Sequence, residues 1–182
     1  MNAPQLFLLY NTMVLPHLQY CLINWGNFKG DRNIGLRDRI LTLQKSLVRI
    51  ISASSNPISH TDPLFARLAI LKVDDLYSQR VRVFSYKLSR GLLPSGVASY
   101  FSQASHGYET RGARSNLVVG RSNPKSIKTI APKYWNSLPM VLKGSPSISS
   151  FKDGSKRGLL APYAAFSCTV RGCPSCPEAQ VG

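Results

Sequence analysis

Between Ile34 and Ser52, the residues Leu36, Ile40, Leu43, Leu47 and Ile50 follow one another at steps of four, three, four and three. An α-helix sets residues at that spacing on one face, and no strand does. The stripe therefore predicts a helix from about Ile34 to Ser52 with one buried side. It leaves Arg37, Lys45 and Arg49 outside the stripe, which makes the opposite side basic. The stretch "SASSNPIS" then supplies the small polar residues and the proline that end it.

The other elements follow from similar signals. Val73, Tyr77, Val81, Phe84 and Leu88 form a second helical stripe, with Asp74 or Asp75 as its cap and Gly91 placed to end it in the left-handed conformation. Arg80, Arg82, Lys87 and Arg90 fall mostly off that stripe. "HTDPLFARL" reads as a short helix, with Asp62 as cap and Pro63 at the first helical position. From Pro4 to about Trp25, Leu6, Leu9, Met13, Leu18 and Leu22 keep a rough helical spacing, and Pro16 is expected to kink or divide that helix. Cys21, inside this apolar run, reads as a small core hydrophobe. Residues 95–150 are rich in Ser, Gly, Pro and Asn and predict short strands or extended segments. One more short helix is expected from near Ser147, weakened by Gly154. The expected fold is mainly α. It comprises a helical bundle over residues 1–94, a basic extension over 95–160 with short strands and a C-terminal helix, and a disordered cysteine-containing tail over 161–182.

The chain has 182 residues and 43% hydrophobic content, enough for a real core. Its formal charge is +15, which says little about fold and much about partners: it predicts attraction to polyanions. The charge is concentrated. From Thr110 to Ser150 there are seven basic residues, Arg111, Arg114, Arg121, Lys125, Lys128, Lys133 and Lys143, and no acid. In the same segment "APKYWNSLP" sets Tyr134 and Trp135 beside Lys133. The aromatics read as a hydrophobic pin for an irregular segment, and the charges as phosphate contacts. The N-terminal run lacks a basic n-region and a cleavage site, and Asn11, Pro16, His17, Gln19 and Asn24 interrupt it. Neither a secretory signal nor a membrane span is expected, and the location expected is intracellular, nuclear or cytoplasmic.

Catalytic constellations are not found. Of eight acids only Asp74 and Asp75 are adjacent, and they precede a strong helical pattern, which fits helix capping better than metal binding. His17, His60 and His106 are widely separated, and no phosphate-binding glycine loop or nucleophile elbow is present. Cys168, Cys173 and Cys176 have partly zinc-like spacing, but no fourth ligand follows; they are weak metal candidates and read as free thiols. No cofactor and no small-molecule substrate are expected.

Six stretches in order carry a resemblance: "LYNTMVLPHLQYCLINWGN", "LQKSLVRIIS", "HTDPLFARLAILKVDDLYSQRVRVFSYKL", "TRGARSN", "SIKTIAPKYWNSLP" and "SPSISSFKDGSKRGLL". The series resembles the C-terminal region of reverse transcriptases from LINE-type (non-LTR) retrotransposons, especially the jockey and CR1 groups, over about residues 6–160. The resemblance implies a thumb-like helical bundle plus a post-thumb extension, with the fingers, palm and endonuclease absent. It places Asp74 and Asp75 at the start of a thumb-side helix, away from the catalytic hairpin. The partners it implies are the backbone of an RNA or DNA duplex and the missing palm domain of the parent polymerase. A non-catalytic fragment is expected, with Arg37, Lys45, Arg49, Arg111, Arg114, Lys125, Lys128 and Lys133 as phosphate contacts. The alternative is an orphan interaction module or truncated genomic copy with no activity of its own.

Overall fold

The computed structural model describes residues 2–28, 34–53, 60–102, 116–120 and 123–165. These are mainly α-helical, as the periodicity predicts. The helices are α1 (Ala3–Leu9), α2 (Leu15–Gln19), α3 (Leu22–Trp25), α4 (Ile34–Ile51), α5 (Asp62–Arg67), α6 (Val73–Ser89), α7 (Ser95–Ala98), α8 (Ile127–Asn136), α9 (Met140–Lys143) and α10 (Ile148–Ala164). The short strands expected over 95–150 do not form among the described residues, where Leu117 is an isolated bridge position. Two compact units interleave along the sequence. One comprises Met1–Leu22, Phe28–Leu76 and Gly158–Gly182, the other Ile23–Asn27 and Tyr77–Arg157.

In the first unit, Tyr10, Val48, Ile51, Phe65, Ile70 and Tyr163 form the core. Its N-terminal helix opens with a capping box. The Asn2 side chain accepts from the Gln5 N–H, and the Gln5 side chain accepts from the Asn2 N–H. Pro16 does not break this helix. A π segment, Tyr10–Val14, lies between α1 and α2, and the Leu15 N–H reaches back five residues to the Tyr10 carbonyl. Asn11 and Thr12 bond the carbonyls of Phe7 and Leu8 with their side chains. The wider turn accommodates a proline that has no N–H to donate. It also fixes the inward face as Leu6, Tyr10 and Val14, so Leu9 and Met13 of the expected stripe are exposed. Cys21 is corrected as well: it is exposed and takes a left-handed φ of 48°, serving as a turn residue between α2 and α3.

The helix over Ile34–Ile51 has close to its expected length, but its buried face is not the expected one. Gln44, Val48 and Ile51 are buried, whereas Leu36, Leu43 and Ile50 are exposed. Gln44 is accommodated inside because its whole amide is used. Its Nε2 donates to the Leu71 carbonyl at 3.2 Å and to the Tyr10 hydroxyl at 3.3 Å, and its Oε1 accepts from the Val73 N–H at 2.9 Å. Gln44 thus satisfies the first N–H of α6. Asp74 and Asp75 occupy the first turn of that helix, where its dipole favours acids.

The second unit gathers around Val83, Tyr86, Leu117, Trp135, Leu138 and Phe151. The Tyr86 and Phe151 rings stack at 4.5 Å, and Trp135 lies 6.4 Å from Phe151. Trp135 is therefore a pin, but it pins a helix and not an irregular segment. Ser126 caps α8, and Pro132 sits inside it. Burial of Thr129, Ile130, Ala131, Pro132 and Trp135 outweighs the low propensity of the segment, each large apolar side chain contributing about 2 kcal/mol. Asn136 clamps the chain at Leu117 with two bonds of 3.0 Å, one to its N–H and one to its carbonyl. The helix expected from near Ser147 runs 17 residues, Ile148–Ala164, straight through Gly154. A Cβ at Gly154 would stand 2.7 Å from Leu142 Cδ2, so the absence of a side chain there admits α9. The stretch 161–164, expected in the tail, is the end of α10, with Tyr163 buried in the core of the first unit.

Candidate nucleic-acid interface

In the second unit, Lys125, Lys128 and Lys133 are exposed on and beside α8. The Lys125 N–H is held by the Asn123 side chain at 2.9 Å, and the Lys128 N–H by Ser126 Oγ at 3.3 Å, which fixes the turn that starts the helix. The first turn of α8 holds no acid. Its dipole therefore adds to the positive potential at Lys125 and Lys128. Lys128 Nζ stands 5.7 Å from the centre of the exposed Tyr100 ring. Tyr134 is turned inward, edge-on to Tyr77 at 6.4 Å and within 3.3 Å of the Ser78 hydroxyl.

Lys143, the last cation of the acid-free segment, is internal. Its Nζ donates to Asn116 Oδ1 at 3.1 Å and to the Asn136 carbonyl at 3.4 Å, and lies 5.8 Å from the Trp135 ring. Burial pulls its pKa down. Arg90 is committed locally too, with Nη2 3.0 Å from the Ser145 carbonyl and the guanidinium 5.5 Å from the Tyr86 ring. Arg82 Nη1 lies 3.5 Å from Ser155 Oγ.

In the first unit, Arg37, Lys45 and Arg49 are all half-buried on α4. Arg37 is already matched to acids. Nη2 meets Asp74 Oδ2 at 2.7 Å, Nε donates to both Asp74 oxygens at 2.9 Å, and Nη1 meets Asp38 at 2.8 Å. The hydrogen bond it donates to Asp74 is the main reason its pKa rises. Lys45 and Arg49 are one turn apart. Arg49 lies in the last turn, where the helix dipole favours a cation. Arg111, Arg114 and the three cysteines Cys168, Cys173 and Cys176 lie outside the described residues.

The neighbouring acids diverge. Asp74 turns to Arg37, while Asp75 accepts a hydrogen bond from the Tyr163 hydroxyl. Tyr163 also accepts from the Lys72 N–H at 3.2 Å, and Lys72 Nζ spans to Asp62 at 2.8 Å while lying 4.6 Å from the Tyr163 ring. Burial, followed by the bond to Asp75, pushes the Tyr163 pKa up. This cluster of Lys72, Asp62, Asp75 and Tyr163 is not legible in the sequence, because Tyr163 stands 88 residues from Asp75 with no motif linking them. It joins the end of α10 to the start of α6 within the first unit. Among the described residues no three His, Cys, Asp or Glu side chains converge as a metal site, and no helix is long and apolar enough to cross a membrane. The chain matches no family model, no curated protein and no solved structure.

Proposed function

We propose that this chain binds the backbone of an RNA or DNA duplex electrostatically and without catalysis, as the thumb and post-thumb part of a LINE-type reverse transcriptase would. The observation that carries this reading is the exposed trio Lys125, Lys128 and Lys133, in a segment that contains no acid from Thr110 to Ser150. Such lysines meet phosphate oxygens and release condensed counterions. They read no base edge, so sequence preference is absent. Lys45 and Arg49 are further contacts, while Arg37 contributes less because Asp74 and Asp38 balance it.

The test is a fluorescence-anisotropy titration of the purified chain with duplex DNA, duplex RNA and hybrid at several salt concentrations. Binding at low salt, a steep loss as salt rises and similar affinity for unrelated sequences are the expected results. No binding in dilute buffer would sink the reading. Primer extension with magnesium tests the non-catalytic half of the statement, and nucleotide incorporation by the chain would overturn it. A second reading, an interaction module that docks on protein, draws support from the exposed apolar face of α4.

A further inference from the structure

In the second unit Tyr100 is 65% exposed, whereas the other aromatic rings of that unit are, among the described residues, buried or half-buried. Its backbone is fixed. The Tyr100 N–H reaches the Val97 carbonyl at 3.3 Å and the Phe101 N–H that of Ala98 at 3.0 Å, a turn that closes α7. Phe101 packs edge-on to Phe84 of α6 at 5.8 Å, and the Ser102 carbonyl accepts from the Val118 N–H at 2.9 Å. The residues that follow are thus anchored while the Tyr100 ring stays in water. Lys128 Nζ lies 5.7 Å from the centre of that ring, within cation–π reach. The lysine stem passes Gly120, with Cε 4.0 Å from where a Cβ there would stand. Neither Lys125 nor Lys128 forms an ion pair among the described residues, so both charges are available to a ligand.

We infer that Tyr100 and Lys128 take up an unpaired nucleotide beside the bound duplex, the base stacking on the Tyr100 ring and a phosphate meeting Lys128. The two groups together select that ligand. Phosphate answers the lysine but leaves the ring unused. An aromatic ring stacks on the flat face of a base, and inside a duplex those faces are covered by the neighbouring base pairs. A single-stranded nucleotide presents a free face and, one sugar away, a phosphate. A carboxylate or a lipid headgroup carries the charge without the flat face. Every base has such a face, so no sequence preference is expected. The tail preference rests on the duplex-binding reading of the α8 lysines and adds a substrate feature to it.

The probes are a labelled DNA hairpin with a short adenine tail, the same hairpin with a tail of equally many abasic residues, and the blunt hairpin, all titrated with the full chain at one salt concentration. The two tails carry the same charge. The wild type binds the adenine tail about fivefold or more tightly than the abasic one, the lower end of base-on-aromatic stacking. Tyr100→Ala abolishes that difference, Tyr100→Phe keeps it, and Lys128→Gln weakens both tailed hairpins together. Tyr100→Trp is a second route, since its indole emission is quenched by the adenine tail and not by the abasic one; circular dichroism checks the fold of every variant. Equal affinity of the wild type for the two tails overturns the inference, and so does a preference that survives Tyr100→Ala. If the blunt hairpin binds and the tails do not differ, only this inference falls. If the blunt hairpin goes unbound while the adenine tail binds through Tyr100, the duplex reading falls alone.

Discussion

Gln44 shows how a single polar side chain can set the orientation of a helix. Its amide satisfies a carbonyl at Leu71, an N–H at Val73 and the hydroxyl of Tyr10, all buried with it. Gln44→Leu keeps the volume and strands the two backbone groups. Each buried group left without a partner costs roughly 1–3 kcal/mol, so the variant should lose about 2–4 kcal/mol in urea unfolding. A loss below about 1 kcal/mol would show that these bonds do not orient α4. Tyr77 is the opposite case: its hydroxyl is buried and has no hydrogen-bond partner among the described residues. Burial, followed by the charge of Tyr134, raises its pKa from 10.0 to about 12. The folded chain then keeps a proton that the unfolded chain gives up. The stabilising effect is complete below about pH 10 and is lost as pH rises through about 12. Tyr77→Phe should therefore be neutral or stabilising at pH 8 and should gain about 1 kcal/mol over wild type at pH 11, where Tyr77 is mostly ionised in the unfolded state and still mostly protonated in the folded one. If the two proteins lose stability equally between pH 8 and 11, Tyr77 is not the cause; Tyr163 shifts in the same direction.

At the scale of elements, the C-terminal end of α6 is legible in the sequence, whereas the caps at helix starts are not: Thr61, not Asp62, precedes α5, and Asp74 and Asp75 lie inside the first turn of α6. Gly91 ends α6 with φ of 67°, and the bonds from Gly91 N–H to Leu88 and from Leu92 N–H to Lys87 complete a Schellman motif. The end of α5 repeats the motif with the wrong residue. Ala69 holds φ of 50°, while its N–H reaches Ala66 and the Ile70 N–H reaches Phe65. A Cβ is strained there, so Ala69→Gly should stabilise by about 0.5–1 kcal/mol after the added freedom of the unfolded chain is subtracted. A thermal melt showing destabilisation would mean that Ala69 packs more than it strains. Faces were harder to read because hydrophobic spacing counts apolar residues and cannot see satisfaction. Leu36, Leu43 and Ile50 outrank Gln44 on any such scale, yet Gln44 has partners inside the unit. The π segment is similarly silent: Pro16 announces a disturbance, but only the side-chain bonds of Asn11 and Thr12 show how the helix absorbs it. In α8, Trp135 was legible as an anchor, but its helical setting was not, because Pro132 and the surrounding polar residues argue locally for a loop while burial decides otherwise.

For the whole molecule the formal charge overstates the charge that is left unbalanced at the surface. Arg37 is spent on Asp74 and Asp38, Lys72 on Asp62, and Lys143 is enclosed beside Trp135. The acid-free segment is visible in the sequence as a run of charge, but its outward lysines cannot be told there from the inward one, since Lys133 and Lys143 are the same residue type and only the fold encloses Lys143. The difference is measurable. Each lysine that neutralises a phosphate adds about 0.9 to the slope of log affinity against log salt on B-form DNA. Replacing Lys125, Lys128 and Lys133 together by Gln should flatten the slope by between 2 and 3, roughly in proportion to the contacts removed. Arg37→Gln should change it by less than about 0.5, because a guanidinium held by two carboxylates has few counterions to release. The α8 triple variant keeps every buried side chain of that helix, so its melting curve should match wild type. A slope that falls equally for Arg37→Gln and for the triple variant would mean that attraction follows net charge alone, and that the exposed face of α8 is not where the duplex lies.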